Sequence, residues 1–339
     1  MFSSARHTSP INLALQGGGA HGAFTWGVLD ALLEDSAFAI EGVSGTSAGA
    51  MNALCLAHGL MTGGRDGARE SLARFWTSVA ASSPFASSGD AGVNPTLKLM
   101  LQWTNHLSPE QLNPFDLNPL RDILGEQFDF TRLRRDCPVK LFIAATHANS
   151  GKLRLFRNHE LSVDALLASA CLPTIHRAII IDGEPYWDGG YSANPAVFPL
   201  AYQCASPDIL LVLLTPLRYA ETPASAQDIR QRLLELSFNA TFLREMRMFA
   251  HLREEVSASW LSKWLPVGRL ERRIEQLRFH AITADALLGE LPPGSKLTVN
   301  LPFFERLRDS GRQHALQWLD EHRPSIGMRA SLELGQLFY

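Results

Sequence analysis

Thiol chemistry has little to work with in this chain. Its four cysteines, Cys55, Cys137, Cys171 and Cys204, sit in apolar surroundings at unrelated spacings, and no two form a C-x-x-C pair. That pattern argues against a metal site and against a disulfide framework, and it fits a reducing compartment. A basic run is missing too. The formal net charge is −3 and the arginines are scattered, which excludes the electrostatic footprint of a nucleic-acid binder. Residues 1–10 contain Arg6 and His7 but no apolar core, so they do not read as a secretory signal. Residues 42–64 carry no Asp, Glu, Lys or Arg, yet they are rich in Gly, Ser, Thr and Ala and include Asn52 and His58. They read as a buried core segment rather than a membrane span. The expectation is a cytoplasmic protein without a transmembrane helix, with room for peripheral contact at a lipid surface.

What the chain does have is the make-up of a folded protein: 339 residues, 46% hydrophobic and 19% charged. Residues 11–15 read as a buried strand. A glycine loop follows, Gln16-Gly17-Gly18-Gly19-Ala20-His21-Gly22, and then a helix with Phe24, Val28, Leu29, Leu32 and Leu33 at helical spacing. The order repeats at once: a short apolar approach, Gly45-Thr46-Ser47-Ala48-Gly49, and another helical stretch. Two successive βα units imply a mainly parallel sheet covered on both faces. Further strands are expected at 139–146, 178–181, 208–215 and 296–300, with a hairpin from 178 to 188. Helices are expected at 69–79, 161–170 and 303–322, and a helical pattern runs from 225 to about 288. The stretch 95–118 is apolar and irregular, suited to a site mouth or to a helix on the core.

A Gly-x-Ser-x-Gly between strand and helix is the setting of a nucleophile elbow, with Ser47 at the helix N-terminus where backbone N–H groups favour negative charge. The motif alone is too common to decide. The Gly17–Gly22 loop fits two chemistries: an oxyanion hole for acyl transfer, or a dinucleotide cradle, since Gly17-x-Gly19-x-x-Gly22 matches that fingerprint. The cradle needs an acidic residue near the end of the second strand. Glu41 stands at the start of that strand, and the end is occupied by Ser47.

A serine hydroxyl needs a base. Only one strand precedes the elbow, so the strand order of an α/β-hydrolase with a late histidine does not fit. His280, His314 and His322 fall in patterns that read as surface helix. His58 reads as structural, and His21 is the histidine that faces the site if any does. Asp188, ending a hairpin strand before Gly189-Gly190, is the better partner, although an Asp-Gly turn is common for ordinary reasons.

Together these pieces resemble the patatin-like phospholipase family. Gly17-Gly18-Gly19-Ala20-His21-Gly22 is similar to its oxyanion motif and Gly45-Thr46-Ser47-Ala48-Gly49 to its elbow. Ala168-Ser169-Ala170-Cys171-Leu172-Pro173 is similar to its Ala-Ser-x-x-x-Pro segment. Asp188-Gly189-Gly190, followed by Asn194-Pro195, is similar to its aspartate box. The order and spacing agree from residue 11 to about 215. The resemblance implies a three-layer α/β/α fold: a catalytic region at 11–215 and a mainly helical C-terminal region at 216–339, packed on it or extending it. It implies a lipid acyl hydrolase with a Ser47–Asp188 dyad, no metal and no cofactor, and a lipid-like or other hydrophobic ester as substrate. The N–H groups of Gly17, Gly18 and Gly19, with Ala48, would hold the oxyanion in a motif that includes Gly22, and Gly45, Gly49, Gly189, Gly190 and His21 would be the supporting motif residues. One position departs from the family: His21 stands where Arg or Lys is usual, which bears on phospholipid preference more than on ester hydrolysis. The alternatives carried forward are a nucleotide-binding α/β protein and a patatin-fold binding protein with little turnover.

Overall fold

The structure is a computed structural model that describes residues 9–36, 38–82, 108–219, 221–258, 268–283 and 285–339. Eight strands form one sheet among these residues: β1 (Ser9–Leu15), β2 (Phe38–Thr46), β3 (Lys140–His147), β4 (Leu153–Arg157), β5 (Ile179–Ile181), β6 (Glu184–Asp188), β7 (Asp208–Val212) and β8 (Arg278–Ile282). Pairings link the strands in the path β5-β6-β3-β2-β1-β7-β8, with β6 and β2 end to end on one edge of β3 and β4 on the other. β3, β2, β1, β7 and β8 run parallel, while β4, β6 and β5 add antiparallel pairings. The helices are α1 (Gly22–Glu34), α2 (Ala48–Ala81), α3 (Pro109–Leu112), α4 (Pro119–Gln127), α5 (Phe130–Asp136), α6 (Val163–Ser169), α7 (Phe198–Gln203), α8 (Ala226–Ala258), α9 (Arg269–Gln276), α10 (Asp285–Glu290), α11 (Leu301–His322) and α12 (Leu334–Phe338).

Strand side chains alternate between faces, and here the alternation sorts them into two cores. Leu13 and Leu15 of β1, Leu210 and Val212 of β7, and Leu141 and Ile143 of β3 meet α1, α2, α6 and α11. Ala14, Ile209, Leu211 and Phe142 point the other way, into Leu200, Phe242, Met246, Phe249 and Phe338. Both faces are therefore roofed by helices, which is the three-layer α/β/α arrangement that near-continuous apolar strands require.

Several expectations change. Lys296–Asn300 is not a strand. Residues 293–297 form a 3-10 turn among prolines, and the Asn300 side chain accepts the Phe303 N–H (2.8 Å) to cap α11. The last strand is instead β8, inside the stretch that reads as helix from 225 to 288. Its arginine-rich flanks resemble a helix, but docking parallel to β7 overrides that local preference. His280 is accordingly no solvated helix residue. It is fully buried in β8, bonded to Asp208 (3.1 Å) and Ser331 (2.8 Å). The helix expected at 69–79 is the end of α2, which bends at Gly63 and Gly64. β4 was not expected. Most of the apolar stretch at 95–118 lies outside the described residues. Among the described residues no helix is long and apolar enough to cross a membrane.

Candidate active site

β2 delivers Ser47. The residue sits between Thr46, the last of the strand, and Ala48, the first of α2, at φ 54° and ψ −123°. A side-chain-bearing residue at positive φ is strained, and the strain is held by the packing around it. Gly49 is part of that packing. A Cβ there would lie 2.2 Å from the Leu15 carbonyl oxygen, so only glycine lets α2 come this close to the end of β1. The Ser47 N–H donates to Ser169 Oγ (3.0 Å), at the end of α6, and Ser169 is fully buried. The motif around Ser169 carried a resemblance but no role in the sequence. Its contact with the elbow is what sequence reasoning missed.

β6 delivers Asp188, and the register explains why it meets Ser47. β2 lies along one edge of β3 until Thr46 stands opposite Ala144. β4 occupies the other edge. β6 runs antiparallel along the same edge as β2 and ends with Asp188 opposite Ala145. The two strand ends therefore point at each other across one residue step of β3. The hairpin that brings β6 there turns on Asp182 and Gly183, both at positive φ (53° and 83°), as a two-residue hairpin turn needs.

Asp188 is fully buried. Its N–H donates to the Cys171 carbonyl (2.8 Å), and its own carbonyl accepts from Thr146 Oγ1 (2.8 Å). The carboxylate Oδ1 accepts the Gly190 N–H (2.7 Å). The Ser47 hydroxyl is near enough to favour the charged form. Yet Oδ2 has no partner in full hydrogen-bond geometry among the described residues. The serine–aspartate contact is thus a loose one, as catalytic pairs often are before substrate binds. Burial dominates the electrostatics and pushes the carboxyl pKa up to about 7, against the pull of Gly190 and Ser47.

The glycine loop closes the third side. Gly17 is so near the elbow that a Cβ would lie 2.8 Å from Ser47 Cβ. Its N–H does not face Ser47 freely, because it donates to Asn194 Oδ1 (2.7 Å). This corrects the expectation of three free glycine donors. No acceptor among the described residues takes the N–H of Gly18, Gly19 or Ala48, and Ala48 starts a helix whose first N–H groups have no intrahelical partner. Gly19 has φ +57°, and a Cβ there would meet the Lys296 carbonyl oxygen at 2.4 Å. Gly22 is fixed by Asn52, whose Nδ2 donates to its carbonyl (2.9 Å) and whose Oδ1 accepts from Trp76 (3.0 Å).

His21 turns away from the elbow. Its Nε2 lies 2.8 Å from Ser295 Oγ, it is 3% exposed, and burial, helped by Lys296, lowers its pKa to about 3. It is a neutral strut and presents no cation. Glu41 lies far from the loop, accepting from Lys140, Ala205 and Ser206. With Asn194 on Gly17 and Lys296 against Gly19, the loop offers no open cradle for a pyrophosphate. Of the other histidines, His58 packs edge-on to Phe128, and His314 and His322 are on α11.

The sequence model of one family, described as patatin-like phospholipase, matches residues 13–201. Among solved structures, VipD from Legionella pneumophila is similar over 93% of this chain and 67% of its own, at 18% identity and a TM-score of 0.43. No curated protein matches.

Proposed function

The chain belongs to the patatin-like phospholipase family, whose members are in general lipid acyl hydrolases, and from that premise we propose that it is a serine ester hydrolase acting through Ser47 and Asp188. The carrying observation is that β2 and β6 end head to head on one edge of β3, which sets the Ser47 hydroxyl beside a buried carboxylate with an unpartnered oxygen.

Ser47 Oγ attacks the ester carbonyl carbon while its proton passes to Asp188 Oδ2. The carbonyl oxygen becomes an oxyanion, for which the N–H groups of Gly18, Gly19 and Ala48 are the donors. Collapse of the tetrahedral intermediate breaks the ester C–O bond, and the leaving alcohol takes the proton from Asp188. A water then gives its proton to Asp188 as it attacks the acyl-serine. Collapse returns that proton to Ser47 and frees the carboxylic acid. An ordinary aspartate is too weak a base for this work. One raised to about 7 by burial is matched to a proton that moves as charge develops. The neutral, buried His21 offers nothing to a phosphate headgroup, so uncharged lipid esters are included in the substrate class.

Hydrolysis of p-nitrophenyl acyl esters by wild type, Ser47→Ala and Asp188→Asn tests the reading, with fluorophosphonate labelling of Ser47 as a second measurement. Turnover should vanish in both variants and labelling in Ser47→Ala. Turnover that survives Ser47→Ala overturns the dyad.

A further inference from the structure

Gln16, the residue before the glycine loop, is 1% exposed and has every hydrogen-bonding position of its amide filled. Its Oε1 accepts the N–H of Leu214 (2.6 Å) and of Thr215 (2.9 Å). Its Nε2 donates to the Asn194 carbonyl (3.3 Å) and to Asn239 Oδ1 (3.1 Å). A flipped amide would set its NH2 against two N–H groups, so only one orientation is stable. Asn194, held by this bond at its carbonyl, uses its side chain to take the Gly17 N–H (2.7 Å). Gly17 lies against Ser47. A continuous path of contacts therefore runs from Asn239 on α8 to the nucleophile.

The neighbouring residue reaches the other side of the site. Phe238 packs on Gly190, where a Cβ would lie 2.2 Å from its ring, and its ring centroid is 4.5 Å from that of Tyr191. Gly190 is the residue whose N–H holds Asp188 Oδ1. Farther along the helix, Glu245 accepts the N–H of Val197 (2.9 Å) and Phe198 (2.5 Å), just past Asn194. α8 thus buttresses both halves of the site, although it lies wholly outside the family match at 13–201.

We propose that Asn239 is a positioning residue for the Ser47 reaction: through Gln16 and Asn194 it sets where the glycine-loop N–H groups stand relative to Ser47. This rests on the hydrolase reading above. Without the Asn239 acceptor, one N–H of a buried amide loses its partner, which loosens Gln16 and with it Asn194 and Gly17. Donors that serve the oxyanion act only as charge develops, so the loss falls on kcat rather than on KM.

Asn239→Leu keeps the approximate shape and removes the acceptor, whereas Asn239→Asp keeps an acceptor oxygen. With a soluble ester, Asn239→Leu should lower kcat about 10- to 100-fold with KM within about twofold. Asn239→Asp should recover most of that loss. Thr241→Val, on the same helix and removing a hydroxyl without a partner, should match wild type. Amide hydrogen exchange of the peptide holding residues 16–22 gives a readout that needs no turnover. It should quicken there in Asn239→Leu and not in Asn239→Asp. The proposal is overturned if Asn239→Leu keeps wild-type kcat, if Asn239→Asp is equally damaged, or if faster exchange is spread over the whole chain. Turnover that survives Ser47→Ala would sink the hydrolase reading instead, and the exchange result would still decide whether Asn239 holds the loop.

Discussion

Asp188→Asn should destroy activity and, above neutral pH, make the protein more stable. Asparagine fits the site: its oxygen can accept the Gly190 N–H, and its NH2 takes the place of the oxygen that has no partner. The carboxyl it replaces is fully buried, with a pKa raised from 3.8 to about 7. A group whose pKa is higher folded than unfolded binds its proton more tightly in the native state. Its contribution is complete below the unfolded value and is lost as pH rises through the folded one. In the window between those two values, stability falls by about 1.4 kcal/mol per pH unit. From pH 5 to pH 8 wild type should therefore lose about 2.5 kcal/mol that Asp188→Asn does not lose. Glu245 is also raised to about 7 by burial, but it titrates alike in both proteins and cancels in the difference. Denaturant unfolding of the two proteins at pH 5, 6, 7 and 8 measures it. The stability of the variant relative to wild type should climb across the series and level near pH 8. A flat difference would refute the account, because Asp188 would then not be a desolvated carboxyl in the folded state.

In the proposed mechanism the same group also shapes the rate. The kcat/KM for a soluble ester should rise with pH through about 7 as Asp188 loses its proton, and a profile that is flat or falling between pH 6 and 8 contradicts the role of Asp188 as base. Ser169→Ala removes the acceptor for the Ser47 N–H. With that bond worth roughly 1 kcal/mol, kcat should drop about fivefold while KM holds, as steady-state kinetics would read. Gly49→Ala places a methyl 2.2 Å from a backbone oxygen and should destabilise by several kcal/mol or prevent folding. Gly63→Ala, with nothing within 4 Å, should leave the unfolding free energy within about 0.5 kcal/mol of wild type.

The parts of the fold that local pattern dictates were legible in the sequence. β1, the glycine loop, β2, the elbow and the 179–188 hairpin are each written in contiguous apolar residues and turn glycines. β8 was not legible, because what makes Arg278–Ile282 a strand is the neighbouring β7 and not its own composition. Ser47 and Asp188 were picked out by motif, but their meeting depends on pairing register, which no single segment encodes. The Gly17 donor was misread for the same reason: its N–H is consumed by Asn194, 177 residues away. Gln16 and Asn239 carry no motif signal at all. A glutamine before a glycine loop and an asparagine in a helix look ordinary until the sheet puts them within reach of each other.

β3 contributes no side chain to the proposed chemistry, yet it is the ruler on which the site is laid out. Ser47 and Asp188 belong to strands 141 positions apart in the chain, and their separation is set by one peptide step, from Ala144 to Ala145. Loops between them can lengthen or shrink without moving either residue, so long as both strands still seat on that edge. A single residue inserted within β3 between the two seats would instead draw the strand ends apart by about one 3.3 Å repeat while leaving Ser47 and Asp188 both in the sequence. Such a chain would keep all four motifs and lose the site.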